Sequence, residues 1–133
     1  NGLYKRNRPH TYPDLLPIGE GAVDLELKVA LETNKPKGHL PKAGTYITFR
    51  YVLGTKSGEY VKGKDRRGDT VWIWEVKVGS LTENDFSCSN TEGDSGKTAV
   101  IKTEIHNTMN LIYYEPSLLP YRRGENNSYP GFN

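Results

Sequence analysis

Cysteine is almost absent from this chain of 133 residues, and Cys88 is the single example. A disulfide within the chain is therefore excluded, which rules out small disulfide-dependent folds and favours a reducing interior such as the cytoplasm. Long apolar runs are also missing, so no segment resembles a signal peptide or a membrane span. We interpret Cys88 as a small buried or half-buried residue, because no histidine partner lies near it in the sequence.

A strong excess of charge of either sign is missing as well, since the formal net charge is +2. That value is too small to indicate nucleic-acid binding by itself. The hydrophobic fraction of 35% is ordinary for one soluble domain with one core. We expect a single domain over residues 1–133 with an irregular tail at residues 115–133. Because no initiator methionine is present, we also expect the chain to be a processed or excised piece of a longer one.

Residues 22–30 alternate strictly between apolar and polar side chains. Side chains of a β-strand point to opposite faces with period two, so Glu26 and Lys28 share one face and the aliphatic residues share the other. A second short strand is predicted over residues 13–18, with a glycine-containing turn between the two. A hairpin of this kind folds Asp14 back toward Glu26.

Two carboxylates that approach each other repel and raise each other's pKa unless a cation lies between them. A hard divalent cation with oxygen ligands is the usual solution, and Mg²⁺ is the natural candidate. Phosphodiester hydrolysis needs an attacking water, charge neutralisation and help for the leaving oxygen, to which bound metal ions contribute. Lys28 would either stabilise developing charge or orient the water. Asp14, Glu26 and Lys28 are therefore the predicted catalytic residues.

These residues resemble the signature of the PD-(D/E)xK nuclease superfamily, and most of all that of type II restriction endonucleases: Pro13-Asp14 followed by Glu26-Leu27-Lys28. The basic stretch at residues 34–46 is similar to the loop that leads into the next core strand in some of these enzymes. The similar portion covers residues 12–53.

The resemblance implies a magnesium-dependent endonuclease that cleaves duplex DNA in the manner of a restriction enzyme. It also implies an α+β (mixed-sheet α/β) fold, in which a restriction-endonuclease-like core has a β-rich central sheet flanked by helix. Residue by residue, it implies Asp14, Glu26 and the Leu27 backbone carbonyl as metal ligands, and Lys28 as the catalytic lysine.

A double-strand cut usually implies two active sites, so the expected partners are DNA and a second copy, as a homodimer or within a larger restriction enzyme. The expected setting is the cytoplasm of a prokaryote or a phage origin. The sequence departs from the pattern of this nuclease superfamily in one respect. The superfamily fold normally begins with a helix, but the residues before Asp14 do not predict one. We expect that helix to lie upstream or to come from another chain.

Basic side chains are concentrated in three stretches, and the first of them, with Lys5, Arg6 and Arg8, lies close to Asp14 in the sequence. Such clusters typically contact phosphates and give salt-sensitive affinity rather than base choice. Solvated loops have the same composition, and that interpretation stays open for any one cluster. The predicted DNA contacts are Lys35, Lys37, His39, Lys42, Arg66 and Arg67.

An alternative function is a non-catalytic, β-rich nucleic-acid-binding module. Its basic loops would hold the backbone while exposed aromatic residues stack on bases, and the chain has nine tyrosines and two tryptophans for that role. A third alternative is a nuclease-like fold that serves only in structure or protein interaction. Metal dependence separates catalysis from binding, because a binding module needs no Mg²⁺ and tolerates loss of Glu26 or Lys28.

The rest of the chain predicts further β-structure. Residues 45–53 and 70–78 are rich in β-branched and aromatic side chains and predict an antiparallel hairpin. Apolar spacings of three and four within residues 97–112 predict that part of this span is a helix covering the sheet. The acidic stretch at residues 79–96 favours a solvated loop, because its spacing does not match a calcium-binding loop.

Three other motifs in the sequence compete with the proposed centre. Glu75-Val76-Lys77 is a second acid-x-Lys triplet, but we favour charged positions on the wet face of a half-buried strand. Residues 93–98 resemble a phosphate-binding loop without its first glycine, so we exclude a nucleotide site there. His106 lacks the spaced partners that a metal-finger nuclease needs. For His10 and His39, a structural or phosphate-contacting role is favoured over a catalytic one.

Overall fold

The computed structural model describes residues 4–9, 13–17, 23–38, 41–61, 66–89 and 98–120. These residues form a mixed α/β structure that is rich in strands, which agrees with the expected α+β class. The elements are β1 (Tyr4–Arg6), β2 (Leu15–Pro17), β3 (Leu25–Leu31), β4 (Lys37–Gly38), β5 (Gly44–Gly54), β6 (Thr70–Leu81), β7 (Phe86–Ser89), β8 (Thr98–Ile101), α1 (Thr103–Thr108) and β9 (Asn110–Tyr114).

The strands are arranged in two sheets. A six-stranded sheet has the order β1-β2-β3-β5-β6-β9, and a three-stranded sheet has the order β4-β8-β7. The predicted pairings of β2 with β3 and of β5 with β6 are both present and antiparallel. β3 and β5 are parallel. A parallel pair needs a crossover connection, and here the crossover passes through β4 in the second sheet instead of through a helix.

The two long strands form where the β-branched and aromatic residues are most concentrated. β5 and β6 pair along almost their whole length, from Gly44 opposite Leu81 to Gly54 opposite Thr70. A bulge interrupts this ladder at Arg50 and Tyr51. Because a bulge places two residues opposite one, it turns the neighbouring Trp74 and Glu75 toward the same side of the sheet, and both side chains are fully buried.

β3 has the predicted alternation, but its charged face points into the molecule. Glu26 is 6% exposed, whereas Val29 on the other face is 64% exposed. In the parallel ladder Glu26 lies opposite Tyr46 and Lys28 lies opposite Thr48, both of which are buried. The acid and the lysine of the predicted motif therefore project from the same face as the interior side chains of β5.

The interior consists of two apolar clusters with a polar region between them. One cluster joins the start of β5 to the second sheet and contains Tyr46, Leu81, Phe86, Ala99, Ile101 and Met109. The other joins the end of β5 to the turn after β9 and contains Val52, Trp74, Leu118 and Leu119. Between Tyr46 and Val52, the interior positions of β5 are Thr48 and Arg50, so polar side chains separate the two clusters.

The predicted helix within residues 97–112 is present but short. α1 covers six residues, Thr103–Thr108, and the flanking residues form β8 and β9. In β8 the side chains of Ala99 and Ile101 are buried in alternation with half-buried neighbours, which is a strand pattern. The large sheet is therefore covered by a second sheet together with α1, and not by a helix alone.

Two local predictions were wrong. Residues 79–89, the described part of the predicted acidic loop, contain the end of β6, a single 3-10 turn and β7. The Asp85 carboxylate accepts a hydrogen bond from the Thr82 N–H at 2.8 Å and caps that turn. Cys88 is exposed, because it lies beyond the buried Phe86 on an edge strand of the smaller sheet.

Other predictions fall partly outside the described residues. The irregular tail begins with a 3-10 turn at Pro116–Leu118, and positions 121–133 are not among the described residues. The same holds for His10, His39 and residues 90–97, which include most of the rejected phosphate loop. Within the described ranges, no helix has the length and apolar character needed to cross a membrane.

Candidate functional site

Asp14 lies against the edge of β3, as the hairpin prediction required. The pairing of Leu15 with Leu25 brings the residue before β2 alongside the start of β3. The Leu27 N–H donates a hydrogen bond to Asp14 Oδ2 at 2.7 Å. The N–H and C=O of one strand residue point to the same side, so the Leu27 carbonyl also lies on the Asp14 side of β3.

Glu26 has a buried carboxylate with incomplete partners. Its Oε1 lies 3.4 Å from Lys28 Nζ, and its Oε2 has no hydrogen-bond partner. Burial, followed by the neighbouring Asp14 carboxylate, raises the pKa of Glu26 to about 7, and the Lys28 ammonium opposes that rise. Two carboxyl groups can share a hydrogen bond only when one holds a proton. Without the proton, the same oxygens offer a place for a cation.

Lys28 reaches from the interior face toward solvent. Its side chain is 24% exposed, and its ammonium passes close to Gly38 of β4. A Cβ at position 38 would lie 2.9 Å from Lys28 Nζ, so the missing side chain leaves room for the lysine. The fold therefore places one ammonium beside the two carboxylates and leaves it accessible.

The oxygen donors at this site fit a hard divalent cation. Asp14, Glu26 and the Leu27 carbonyl would supply two carboxylates and one backbone oxygen, and Mg²⁺ commonly binds to one or two carboxylates together with substrate oxygens and water. Within the described ranges, no cluster of three or more His, Cys, Asp or Glu side chains is found. The fit therefore rests on two acids and on the unpartnered oxygen of Glu26.

A cleft of about 450 Å³ opens beside Asp14. Residues of the β1–β2 hairpin and Leu27 of β3 line it. Its polar and charged lining comes from Arg6, Asn7, Arg8 and Asp14. Two guanidinium groups beside a carboxylate suit an anionic ligand that approaches the carboxylate pair, since arginine binds phosphate oxygens in a bidentate manner.

The predicted DNA-binding residues are spread over different parts of the surface. Lys35 and Lys37 line a second cleft beside the last residues of β3. Lys42 and Arg66 are exposed elsewhere, and Arg67 pairs with Glu32. His39 lies outside the described residues.

The second acid-x-Lys triplet is buried, which corrects the prediction of a wet strand face. Glu75 and Lys77 are both 0% exposed. Arg50 binds Glu75 with two hydrogen bonds of 2.7 and 2.5 Å, and Lys77 Nζ donates to the His106 carbonyl at 2.9 Å. The reason is register: β6 places Glu75 opposite Arg50 and Lys77 opposite Thr48 on the covered face.

His106 completes this buried polar cluster, which sequence analysis missed. Its Nε2 lies 3.3 Å from Thr48 Oγ1 and 3.5 Å from Glu75 Oε1. Burial and then the Arg50 charge lower the pKa of His106 to about 3, although Glu75 opposes the shift. The imidazole is therefore neutral at pH 7. Burial also lowers the pKa of Lys77. The signal in the sequence was a pair of adjacent strands with charged residues at facing positions.

The pKa of Glu26 predicts how stability depends on pH in the metal-free protein. The folded-state pKa of about 7 exceeds the ordinary value of 4.5, so the proton is held more tightly when the chain is folded. Stability is then lost as pH rises from about 4.5 to about 7. In EDTA, we expect the free energy of unfolding of Glu26→Gln, measured relative to that of wild type, to rise by about 1–3 kcal/mol between pH 4.5 and pH 8.

Urea unfolding at several pH values measures this difference, with the exposed Glu83→Gln as the control. His106 acts in the opposite direction, because its depressed pKa removes stability as pH falls from about 6.5 to about 3. That contribution is common to wild type and Glu26→Gln, so it cancels in the comparison. A difference between the two proteins that does not change with pH would contradict the prediction.

No protein-family model matches this chain, and the searches of curated proteins and of solved structures return no significant match.

Proposed function

We propose that this protein is a magnesium-dependent endonuclease that hydrolyses phosphodiester bonds of duplex DNA, with restriction-type cleavage as the specific form. The observation that carries the proposal is the buried Glu26 carboxylate, which lies next to Asp14 and Lys28. Its Oε2 has no hydrogen-bond partner. Burial of a carboxylate with an unpaired oxygen is costly, so such a group is retained where it has a ligand or a catalytic role.

Each residue of the site has a part in this chemistry. Asp14 and Glu26, with the Leu27 carbonyl, would hold Mg²⁺ at the edge of β3. When bound, Mg²⁺ supplies charge neutralisation and lowers the pKa of a coordinated water. Lys28 donates toward the same place and would stabilise the charge that develops on the phosphate oxygens or orient the attacking water. The Leu27 N–H fixes the orientation of Asp14 through its 2.7 Å hydrogen bond.

The fold supports a restriction-endonuclease-like core as part of the proposal. Asp14 precedes β2, the acid and the lysine lie on the neighbouring β3, and the basic loop that follows leads into β5 of the same sheet. Two such sites are needed to cut both strands of a duplex, so the proposal includes a homodimer or a larger enzyme.

The non-catalytic alternative loses part of its support. Trp74 is 0% exposed and its indole N–H donates to the Glu32 carbonyl at 3.0 Å, so this ring cannot stack on a base. The Trp72 indole N–H donates to the Thr55 carbonyl at 2.7 Å. An aromatic stacking platform would need other rings, such as that of the exposed Tyr113.

Incubation with plasmid DNA tests the proposal. Wild type should cut the plasmid with Mg²⁺ and leave it intact in EDTA, and Asp14→Asn should be inactive because it removes one charged ligand. Gel electrophoresis of supercoiled, nicked and linear forms measures the result, and Asp24→Asn, an exposed acid just before β3, is the matched control. Cutting that persists in EDTA or in Asp14→Asn would contradict the proposed centre.

A further inference from the structure

The turn after β3 has an unusual backbone conformation. Glu32 has φ of 55°, in the left-handed region that non-glycine residues seldom adopt. Its N–H donates to the Tyr51 carbonyl at 2.7 Å, and its carbonyl accepts from the Trp74 indole at 3.0 Å. Both main-chain groups of Glu32 are therefore fixed by β5 and β6, which explains why the strained conformation is held.

Side chains hold the same turn in two further places. Arg50, while bound to Glu75 by two hydrogen bonds, also donates from Nη1 to the Thr33 carbonyl at 3.3 Å. The Glu32 carboxylate forms an ion pair with Arg67. Residues 32 and 33 thus have contacts with three other strands or loops, and the chain that follows leaves the turn in a defined direction.

The chain that follows is also anchored. Pro36 is fully buried, and its carbonyl accepts a hydrogen bond from the Ile101 N–H at 3.1 Å. Lys37 then pairs with Val100 of β8. Because Pro36 is fixed between Lys35 and Lys37, the two lysines project from a rigid segment and not from a free loop.

These two lysines line a cleft of about 450 Å³ at the end of β3. Its polar lining comes from Asn34, Lys35, Lys37 and Tyr51, and its lining residues include no Asp or Glu. Within the described part of the chain, neither lysine makes an ion pair. Two uncompensated ammonium groups, an amide and a phenol form a site for an anion with several oxygen atoms.

The lysine cleft and the candidate site both border β3. Leu27 borders the cleft beside Asp14, and Val29 and Leu31 border the one beside Lys35. Val29 and Leu31 follow Leu27 by two and four positions, which corresponds to about 7–13 Å at the usual rise of a strand. One DNA strand advances about 3.4 Å along the helix axis for each phosphate, so about two to four nucleotide steps span that distance.

We propose that Asn34, Lys35 and Lys37 form a preformed phosphate-binding subsite for the DNA backbone, about two to four nucleotides from the bond held at Asp14 and Glu26. The inference rests on the proposed function, and it specifies the path that the DNA strand follows along β3. One phosphate group binds near Arg6 and Arg8, and the same strand continues to the lysine cleft. The turn at Glu32 and Thr33 is held by its contacts with β5 and β6, so this subsite is rigid before DNA binds. That rigidity lowers the entropy cost of binding.

Salt-dependent DNA binding tests the subsite without requiring catalysis. Fluorescence anisotropy with a labelled 20-base-pair duplex in EDTA gives the dissociation constant of the full chain at several salt concentrations. The double variant Lys35→Gln/Lys37→Gln should weaken binding about tenfold or more and reduce the slope of log affinity against log salt by about 0.9, the contribution of one lost phosphate contact. Lys56→Gln, an exposed lysine that lines neither cleft, is the matched control.

The outcomes separate this inference from the proposed function. A double variant that behaves like Lys56→Gln, or a wild type that shows no salt-dependent binding, overturns the subsite whether or not the protein cuts DNA. A reduced slope in a protein that never cuts DNA supports the subsite and overturns the nuclease. Equal effects on a single-stranded RNA of the same length would show that the cleft binds phosphate without preference for duplex DNA, which overturns the assigned course of the duplex.

Discussion

Replacing Glu75 with alanine should destabilise the protein by about 3–5 kcal/mol, because it leaves the Arg50 guanidinium buried without its counter-charge. Arg50 is 5% exposed and Glu75 is 0% exposed, and two hydrogen bonds of 2.7 and 2.5 Å join them. Arg50 also lies 4.7 Å from the centre of the Trp74 ring. Domains of this size are stable by about 5–15 kcal/mol, so the loss removes much of the total.

Urea unfolding followed by circular dichroism measures this effect, and the chain offers a matched control. Arg67→Ala breaks the more exposed ion pair with Glu32, and pairs of that kind contribute about 0–1 kcal/mol. The double variant Arg50→Met/Glu75→Leu should cost less than Glu75→Ala, since apolar residues of similar size leave no unpaired charge. Equal losses for Glu75→Ala and Arg67→Ala would contradict the role given to the buried pair.

The strands of the central sheet could be predicted because their sequences carry local signals. Alternation predicted β3, and runs of β-branched and aromatic residues predicted β5 and β6 with their antiparallel pairing. The proximity of Asp14 to β3 followed from the short connection between the two strands, and the 2.7 Å bond to the Leu27 N–H agrees with it. These features depend on neighbours in the sequence or on pairing across one turn.

The orientation of the faces could not be predicted in the same way. Alternation shows that Glu26 and Lys28 share a face, but it does not show which face is covered by a second layer. That depends on β8 and α1, more than sixty residues further along the chain. The same uncertainty led to the incorrect expectation that Glu75 and Lys77 would face water, whereas both are 0% exposed.

The candidate site shows the same division between local and distant contributions. The acids and the lysine were found from their spacing, but the burial that raises the pKa of Glu26 comes from the covering layer. The contacts of Trp74 and Arg50 with the turn at Glu32 and Thr33 join residues separated by up to 42 positions. No short motif predicts contacts of this range, so the rigid turn after β3 became apparent only in three dimensions.

Loss of Lys28 should abolish most of the proposed nuclease activity while leaving the fold and DNA binding in place. In Lys28→Met the aliphatic stem is kept and the ammonium is removed, so the side chain still fills the space beside Gly38. Removing one positioned donor to a developing negative charge typically slows the chemical step by about 10²–10³. We expect a fall of that size in the rate of plasmid cutting with Mg²⁺, and unchanged duplex affinity in EDTA within about twofold, since a single accessible ammonium contributes little to affinity beside the basic clefts.

Glu26→Gln provides the second arm of this experiment. It keeps the shape of Glu26 but removes the charge that would hold Mg²⁺, so raising the Mg²⁺ concentration should recover part of its activity and none of that of Lys28→Met. The difference identifies Glu26 as a ligand and Lys28 as a participant in the chemical step. Lys102→Met, at the start of α1 and outside the site, should retain wild-type activity. If Lys28→Met cuts DNA as fast as Lys102→Met, the accessible ammonium beside the two carboxylates has no part in catalysis and its pairing with Glu26 is structural.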